Sequence, residues 1–181
     1  SKNYNSEYIL EENKRLRSTI EEKNILSSEI IGKVLVDKKS PFLRSVIINR
    51  GSKDRVELGM AVMDKSYLIG KVVEVSFTTS RVLLLSDLNS KVPVDIMPNN
   101  IQSILSGTGS DEGIIQYTRQ QELIEKDAIV FTSGAGGLFK SGIPIGKIDV
   151  DPSNDRVIVS FFSDFSQLRY IKIISFKEET E

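Results

Sequence analysis

The pattern of apolar and polar positions predicts a helix at the start of the chain. Glycine and proline are absent before Gly32, and Glu, Lys, Arg and Leu are frequent, which favours a helix. Residues that fit heptad a and d positions are Ile9, Asn13, Leu16, Ile20 and Ile30. We therefore predict a helix over residues 1–30 that dimerises as a short coiled coil through Ile9, Asn13, Leu16 and Ile20. The alternative is a helix that packs on its own β-domain.

From Ile31 onward the apolar positions alternate with polar ones, which is typical of half-buried strands. Clusters of Gly, Pro, Asn, Asp and Ser separate these segments and indicate turns. The predicted strands are Ile31–Asp37, Arg44–Asn49, Met60–Met63, Tyr67–Ser76, Arg81–Ser86, Lys91–Met97, Ile101–Gly107, Gly113–Thr118, Ala128–Thr132, Ile145–Val150, Arg156–Phe162 and Leu168–Phe176.

The segment Met97–Asn100 looks like a boundary that divides these strands into two sets of six. The predicted fold is mainly β: an N-terminal coiled-coil helix (1–30), two small six-stranded β-barrel domains (31–98 and 99–176) and a polar tail (177–181). Barrel closure suits such short strands because it removes exposed edges. Whether the last strand closes its own barrel or returns to the first stays open at this point.

An internal repeat supports two similar domains. The segment Ile69–Val73 matches the segment that begins at Ile145, and the strand after it ends in Ser86-Asp87 as the later one ends in Ser163-Asp164. The offset between the copies drifts between 75 and 77 residues. Such drift is expected of a duplicated domain with altered loops. One pair of copies is too few for a solenoid.

Histidine and cysteine are both absent from the 181 residues. Their absence excludes Ser-His-Asp and Cys-His catalysis, disulfides and Cys-ligated zinc. Basic and acidic residues number 24 and 25, so nothing indicates nucleic-acid binding. No apolar run approaches the ~20 residues that cross a bilayer, and no signal peptide precedes the predicted helix. We expect a soluble piece of a longer protein.

The glycine-rich segment Gly134–Ser141 comes nearest to a cofactor-binding motif. A phosphate-binding loop needs a glycine just before its lysine and a helix after it. Phe139 holds that glycine position, and Gly142 and Pro144 would break a helix. We interpret the segment as a structural loop in which Leu138 and Phe139 are tucked in as plugs or offered to a partner. No cofactor is predicted.

Acidic residues fall mostly at predicted turns and strand ends: Asp87, Asp95, Asp111, Glu112, Asp149, Asp151, Asp155 and Asp164. Aspartates at turns usually accept local hydrogen bonds or face solvent. We therefore predict neither a catalytic carboxylate pair nor a metal site. Apolar residues that we expect at the surface instead suggest a protein-contact surface. Its candidate residues are Phe42, Leu43, Tyr67, Leu138 and Phe139.

Several segments together resemble the extracytoplasmic part of the rod shape-determining protein MreC family. They are Leu10–Arg17, Ile47–Asp54, Leu58–Val62, Gly70–Val72, Thr79–Leu84, Ser90–Val94, Thr132–Phe139 and Gly142–Lys147. The resemblance covers essentially the whole chain, and the last two segments are the most distinctive. Proteins of this family carry a membrane-spanning helix ahead of the coiled coil, and this chain starts after it.

The resemblance implies a non-enzymatic scaffold of the cell-elongation complex, anchored in the inner membrane on the periplasmic side. It implies two barrels of the chymotrypsin-like type without that class's catalytic residues. It also implies a homodimer, possible higher assembly, and binding to a class B penicillin-binding transpeptidase. Work with the membrane protein MreD and, indirectly, with the actin-like MreB is implied as well. In this role the chain would organise and activate peptidoglycan synthases.

Two other functions are weighed against this one. A periplasmic adaptor of an efflux or secretion system would need an outgoing and a returning helix around its β-domains, and only one helical pattern is present. A double-barrel hydrolase is a further alternative, but the missing histidine counts against it.

Overall fold

The computed structural model describes residues 6–15, 25–39, 44–137, 139–151, 153 and 155–178. The chain divides into two compact units, one formed by residues 1–28 with 175–181 and the other by Glu29–Ile174. In the first unit, residues 6–15 form a helix, α1. Its side chains Tyr8, Ile9 and Leu10 are exposed.

The predicted helix over residues 1–30 is too long at its C-terminal side. The first strand, β1, begins at Ile25, so Ile30 lies in a strand and not at a heptad d position. The reason is local propensity, because the isoleucines of this segment are β-branched and the serines between them are poor helix formers. Leu16 and Ile20, two of the predicted dimerisation residues, lie outside the described residues.

Two closed six-stranded antiparallel barrels follow, as the sequence pattern predicts. Barrel 1 has the strand order β1-β12-β3-β4-β5-β2 and barrel 2 the order β10-β11-β8-β7-β6-β9. The strands of barrel 1 are β1 (Ile25–Lys39), β2 (Arg44–Ile48), β3 (Ala61–Asp64), β4 (Tyr67–Val75), β5 (Ser80–Leu84) and β12 (Tyr170–Glu178). Those of barrel 2 are β6 (Lys91–Met97), β7 (Ile101–Gly107), β8 (Glu112–Gln116), β9 (Ile129–Thr132), β10 (Pro144–Asp151) and β11 (Arg156–Phe161).

The predicted domain ranges 31–98 and 99–176 assign two strands to the wrong barrel. β6 belongs to barrel 2, and the last strand, β12, returns to close barrel 1. The segment taken as a boundary is a hairpin turn, since Ile96 pairs with Ile101 across it. It contains the cis peptide Met97–Pro98 and Asn100 at a φ of 54°. Turn residues therefore mark a hairpin here and not a domain linker.

The internal repeat is confirmed at the level of topology. Aligning the two cyclic strand orders places β4 on β10 and β5 on β11, and it places β12 on β6. The second barrel is thus built from six consecutive strands. The first barrel takes five consecutive strands and borrows its sixth from the far end of the sequence.

The core of each barrel comes from alternating positions of its strands. In β6, Val92, Val94 and Ile96 are buried, whereas Lys91 is exposed. β4 and β10 each carry a buried glycine where the neighbouring strand approaches closely. A Cβ atom at Gly70 would lie 2.1 Å from the Leu83 carbonyl oxygen, and one at Gly146 would lie 2.2 Å from that of Ser160. The equivalent glycines of the two copies therefore serve the same packing role.

Candidate functional site

The two barrels meet along the repeated strands, where β4 contacts β10. The ring of Tyr67 lies 5.1 Å from that of Phe162, centroid to centroid, and joins barrel 1 to the segment after β11. The Ser163 hydroxyl donates a 2.5 Å hydrogen bond to the Asp64 carboxylate. Tyr67, one of the predicted partner-contact residues, is half-buried and packs at the junction between the barrels.

Arg44, at the start of β2, forms a second link between the barrels. Its backbone N–H donates to the Asp87 carboxylate at 2.7 Å. Its guanidinium pairs at 2.7 Å with Asp111, whose side chain is almost fully exposed. An ion pair with one exposed partner contributes little, so the part-buried hydrogen bond to the Asp87 carboxylate is the more important of the two.

The glycine-rich loop needs its glycines for its backbone conformation. Gly134, Gly136 and Gly137 all have positive φ angles, which glycine adopts without steric cost. The loop leads into β10 rather than into a helix, so it lacks the geometry of a phosphate-binding loop. The Phe139 side chain is buried, which agrees with the interpretation as a plug.

Thr132 fixes the C-terminal side of this loop. Its hydroxyl donates to the Lys140 carbonyl at 2.5 Å and accepts the Ile143 N–H at 3.0 Å. Both bonds lie across the loop base, so the loop returns to the same strand end from which it departs. A structural role accounts for these contacts.

No cluster of acidic residues that could hold a metal ion occurs among the described residues. The aspartates of the repeated Ser-Asp pair instead accept hydrogen bonds from backbone N–H groups. Asp87 is buried and accepts N–H groups of Arg44 and Asn89, while Asp164 is exposed and accepts from Ser166. These contacts match the expectation that turn aspartates cap local backbone.

Asp95, on β6, has a carboxyl group whose pKa is shifted by its surroundings. Its Oδ1 atom is buried and has no hydrogen-bond partner within the described part of the chain. Its cross-strand neighbours are Gln102 and Phe131, which carry no charge. Loss of hydration by burial raises the pKa of the Asp95 carboxyl above 3.8.

The raised pKa of Asp95 predicts a pH-dependent stability. The folded state binds this proton more tightly than the unfolded state does, so the contribution of Asp95 to the free energy of unfolding is largest below 3.8 and is lost as pH rises through the folded-state pKa. We expect Asp95→Asn to be more stable than the parent at neutral pH, with the difference vanishing in acid. Thermal unfolding across pH measures this, and Asp149→Asn at an exposed site of β10 is the control. Parallel curves for Asp95→Asn and the parent would contradict the prediction.

The outer wall of barrel 2 carries an open groove of about 580 Å³. Polar side chains from the β6–β7 turn and from the segment after β8 line it, together with Tyr117, which is 75% exposed. The residue pattern along the chain does not single out these residues. The signal present in the sequence is the polar run Tyr117–Gln121 directly after a strand.

The predicted partner-contact residues do not form one visible patch. Phe42, Leu43 and Leu138 lie outside the described residues. Tyr67 is half-buried against Phe162, and Phe139 is buried, so the exposed-apolar reasoning that selected Phe139 is wrong for this side chain. On α1, Ile9 and Asn13 are both exposed, as residues of an unpaired dimer seam would be.

Comparison with known proteins identifies the family. The family model described as "Rod shape-determining protein MreC, barrel core" matches residues 34–175. The chain is 33% identical over 147 residues to the cell shape-determining protein MreC of Cereibacter sphaeroides. That match covers 81% of this chain and 49% of the relative, so the chain spans about half the length of the curated relatives it matches.

Solved structures agree on the fold. The crystal structure of MreC from Pseudomonas aeruginosa aligns with a TM-score of 0.75 and 27% identity, over 82% of this chain and 99% of that one. MreC from Helicobacter pylori, solved in complex with the penicillin-binding protein PBP2, aligns with a TM-score of 0.65 and 17% identity, over 84% of this chain and 99% of that one. Within the described residues, no helix is both long and apolar enough to span a membrane.

Proposed function

The chain belongs to the rod shape-determining protein MreC family, and we propose that it is a scaffold that organises and activates peptidoglycan synthases during cell elongation. The family is a structural, shape-determining one and not an enzyme family. The observation that carries the proposal is the family match across both barrels, from residue 34 to residue 175. The missing histidine and cysteine support a role in binding, since two common nucleophilic mechanisms cannot be assembled.

We propose a class B penicillin-binding transpeptidase as the principal partner. A fold neighbour from Helicobacter pylori was solved in complex with PBP2, which makes this the first partner to test. The scaffold would activate its partner by binding one conformation more tightly than the other, since a ligand shifts an equilibrium only through differential affinity. MreD, and MreB indirectly, complete the proposed assembly. The proposed location is the periplasmic face of the inner membrane, with the protein anchored in that membrane.

The experiment is a binding titration between the 181-residue chain and the extracytoplasmic part of the transpeptidase from the same organism. We expect saturable binding and a faster transpeptidase reaction in the presence of the chain. Absence of binding by two independent methods would overturn the proposed function.

The proposed contact residues on this chain are Phe42, Leu43, Tyr67 and Leu138. Phe139 is removed from the set because its side chain is buried. The double variant Phe42→Ala/Leu43→Ala is the preferred test, since Tyr67→Ala would also disturb the contact with Phe162. Phe77→Ala, at a 69% exposed site of barrel 1, is the matched control.

We propose that α1 contributes to a homodimer. Ile9→Lys should raise the dimer dissociation constant by roughly tenfold or more, because it places a charge at a d position of the seam. Tyr8→Lys introduces the same charge at a 69% exposed neighbour and should leave dimerisation unchanged. Sedimentation velocity measures both. A monomeric parent chain, or equal behaviour of the two variants, would refute the coiled coil.

A further inference from the structure

The groove on barrel 2 has the surface chemistry of a ligand site. Six polar or aromatic residues give it most of its hydrogen-bonding capacity: Asn100, Gln102, Tyr117, Thr118, Arg119 and Gln120. Pockets that combine apolar wall with a few convergent polar groups are the usual form of small-ligand sites. Neither the shape-determining role nor the proposed transpeptidase contact accounts for this groove.

Tyr117 supplies the aromatic ring among the residues that line the groove. It is 75% exposed, and its backbone φ of 58° is a conformation that bulky residues rarely adopt. Asn100, across the groove, also has a positive φ, of 54°. Strained backbone that persists at an exposed aromatic side chain points to a functional position.

A single side chain determines the charge of the groove. Arg119 is the one charged residue among its lining residues, and no ion pair or hydrogen bond of the Arg119 side chain occurs within the described ranges. No carboxylate lines the groove. A ligand with one negative group is therefore favoured over a cationic ligand, because guanidinium binds carboxylates in a fixed bidentate geometry.

The remaining polar groups suit a ligand rich in hydroxyl and amide groups. Among the residues that the structure describes, the side-chain amides of Asn100, Gln102 and Gln120 have no hydrogen-bond partner. Ser103 also lines the groove, is 7% exposed, and its hydroxyl has no partner within the described chain. Each amide can donate and accept, as an acetamido group on a ligand also can.

The barrel architecture disfavours a peptide that binds by adding a strand. β6 is paired on both sides, with β7 and β9, and β7 is paired with β6 and β8. A closed barrel offers no free strand edge for main-chain pairing. Recognition must therefore come from side chains, an aromatic face and one cation. Aromatic faces carry negative potential and attract the slightly positive C–H face of a sugar ring.

We propose that this groove binds an acidic, N-acetylated oligosaccharide, with a sugar ring stacked on Tyr117 and a carboxylate held by Arg119. The acetamido groups lie against the amides of Asn100, Gln102 and Gln120. This proposal does not rest on the proposed transpeptidase contact, so either proposal can fail without the other.

The test is an NMR titration of the full 181-residue chain with three soluble sugars. They are the disaccharide of N-acetylglucosamine and N-acetylmuramic acid, the neutral oligomer of N-acetylglucosamine, and maltotetraose, which lacks both acetamido and acid groups. We expect shifts at Asn100, Tyr117 and Gln120 with the first two sugars, and tighter binding of the acidic one by roughly fivefold. Maltotetraose should produce no saturable shift.

Four variants separate the roles of the residues. Tyr117→Ala should weaken the binding of both N-acetylated sugars by roughly tenfold, and Arg119→Gln should abolish only the preference for the acidic sugar. Tyr170→Ala, at a 66% exposed tyrosine of barrel 1, should change neither. A Tyr117→Gly variant, whose glycine fits the positive φ, keeps the test valid if Tyr117→Ala folds poorly. No shifts in the groove, or equal affinities in Tyr117→Gly and the parent, would overturn the proposal.

Discussion

Replacing Gly70 or Gly146 with alanine should destabilise the protein by about 3 kcal/mol each, because the added methyl group has no space. The new Cβ would lie 2.1 Å from the Leu83 carbonyl oxygen in the first case and 2.2 Å from that of Ser160 in the second. The obstructing atoms are backbone, so relief requires that paired strands separate. Chemical denaturation of each variant measures the change in the free energy of unfolding.

Gly32→Ala is the matched control for these two substitutions. The atoms nearest to its added Cβ are side-chain atoms of Arg50 and Ile171, at 3.2 and 3.3 Å, and side chains can shift where backbone cannot. We expect a change below about 1 kcal/mol, since alanine also restricts the unfolded chain. Equal losses of stability for the substitutions at Gly32 and Gly70 would show that the effect comes from the conformational preference of glycine and not from the lack of space between strands.

Asp87→Ala should cost about 3 kcal/mol, the second large effect that the structure predicts. Asp87 is 1% exposed, and its two carboxylate oxygens accept the backbone N–H groups of Arg44 and Asn89, each at 2.7 Å. Removal of the carboxylate leaves both part-buried N–H donors without their partner and leaves a space where the buried carboxylate was. The free energy of unfolding from denaturation curves tests this expectation.

The internal repeat supplies the control for Asp87. Asp164 is the equivalent residue of the second copy, but it is exposed and its carboxylate accepts from Ser166 at 3.0 and 2.6 Å. Asp164→Ala should cost less than about 1 kcal/mol, because water can replace an exposed acceptor. Similar losses for the two aspartates would mean that burial does not decide the role of this repeated pair.

Most of the strands could be predicted from the sequence because alternation and turn residues are local signals. The repeat beginning at Ile69 and Ile145 was also visible, and it marks equivalent strands in the structure. The domain ranges could not be predicted from such signals. Barrel closure by β12 pairs β3 with a strand more than 100 residues away, and no local pattern encodes that pairing.

Some features of the candidate sites could likewise be predicted from local sequence, whereas others could not. The glycine loop was recognised as structural because Phe139 and Pro144 conflict with a phosphate-binding loop. The partner-contact residues were chosen by apolar character alone, which does not reveal that Tyr67 packs on Phe162 or that Phe139 is buried. The groove could not be predicted from local patterns because its residues come from β6, β7 and the segments after β8 and β9, which lie apart in the sequence.

The late position of β12 has a consequence for synthesis on the ribosome. Barrel 2 has all six of its strands once Phe161 has emerged, whereas barrel 1 must wait for Tyr170–Glu178. Five strands of barrel 1 therefore exist with an unpaired β3 edge while the second half of the chain is translated. Domains usually fold from the N-terminus first during translation. Here we expect the reverse order, in which barrel 2 closes before barrel 1.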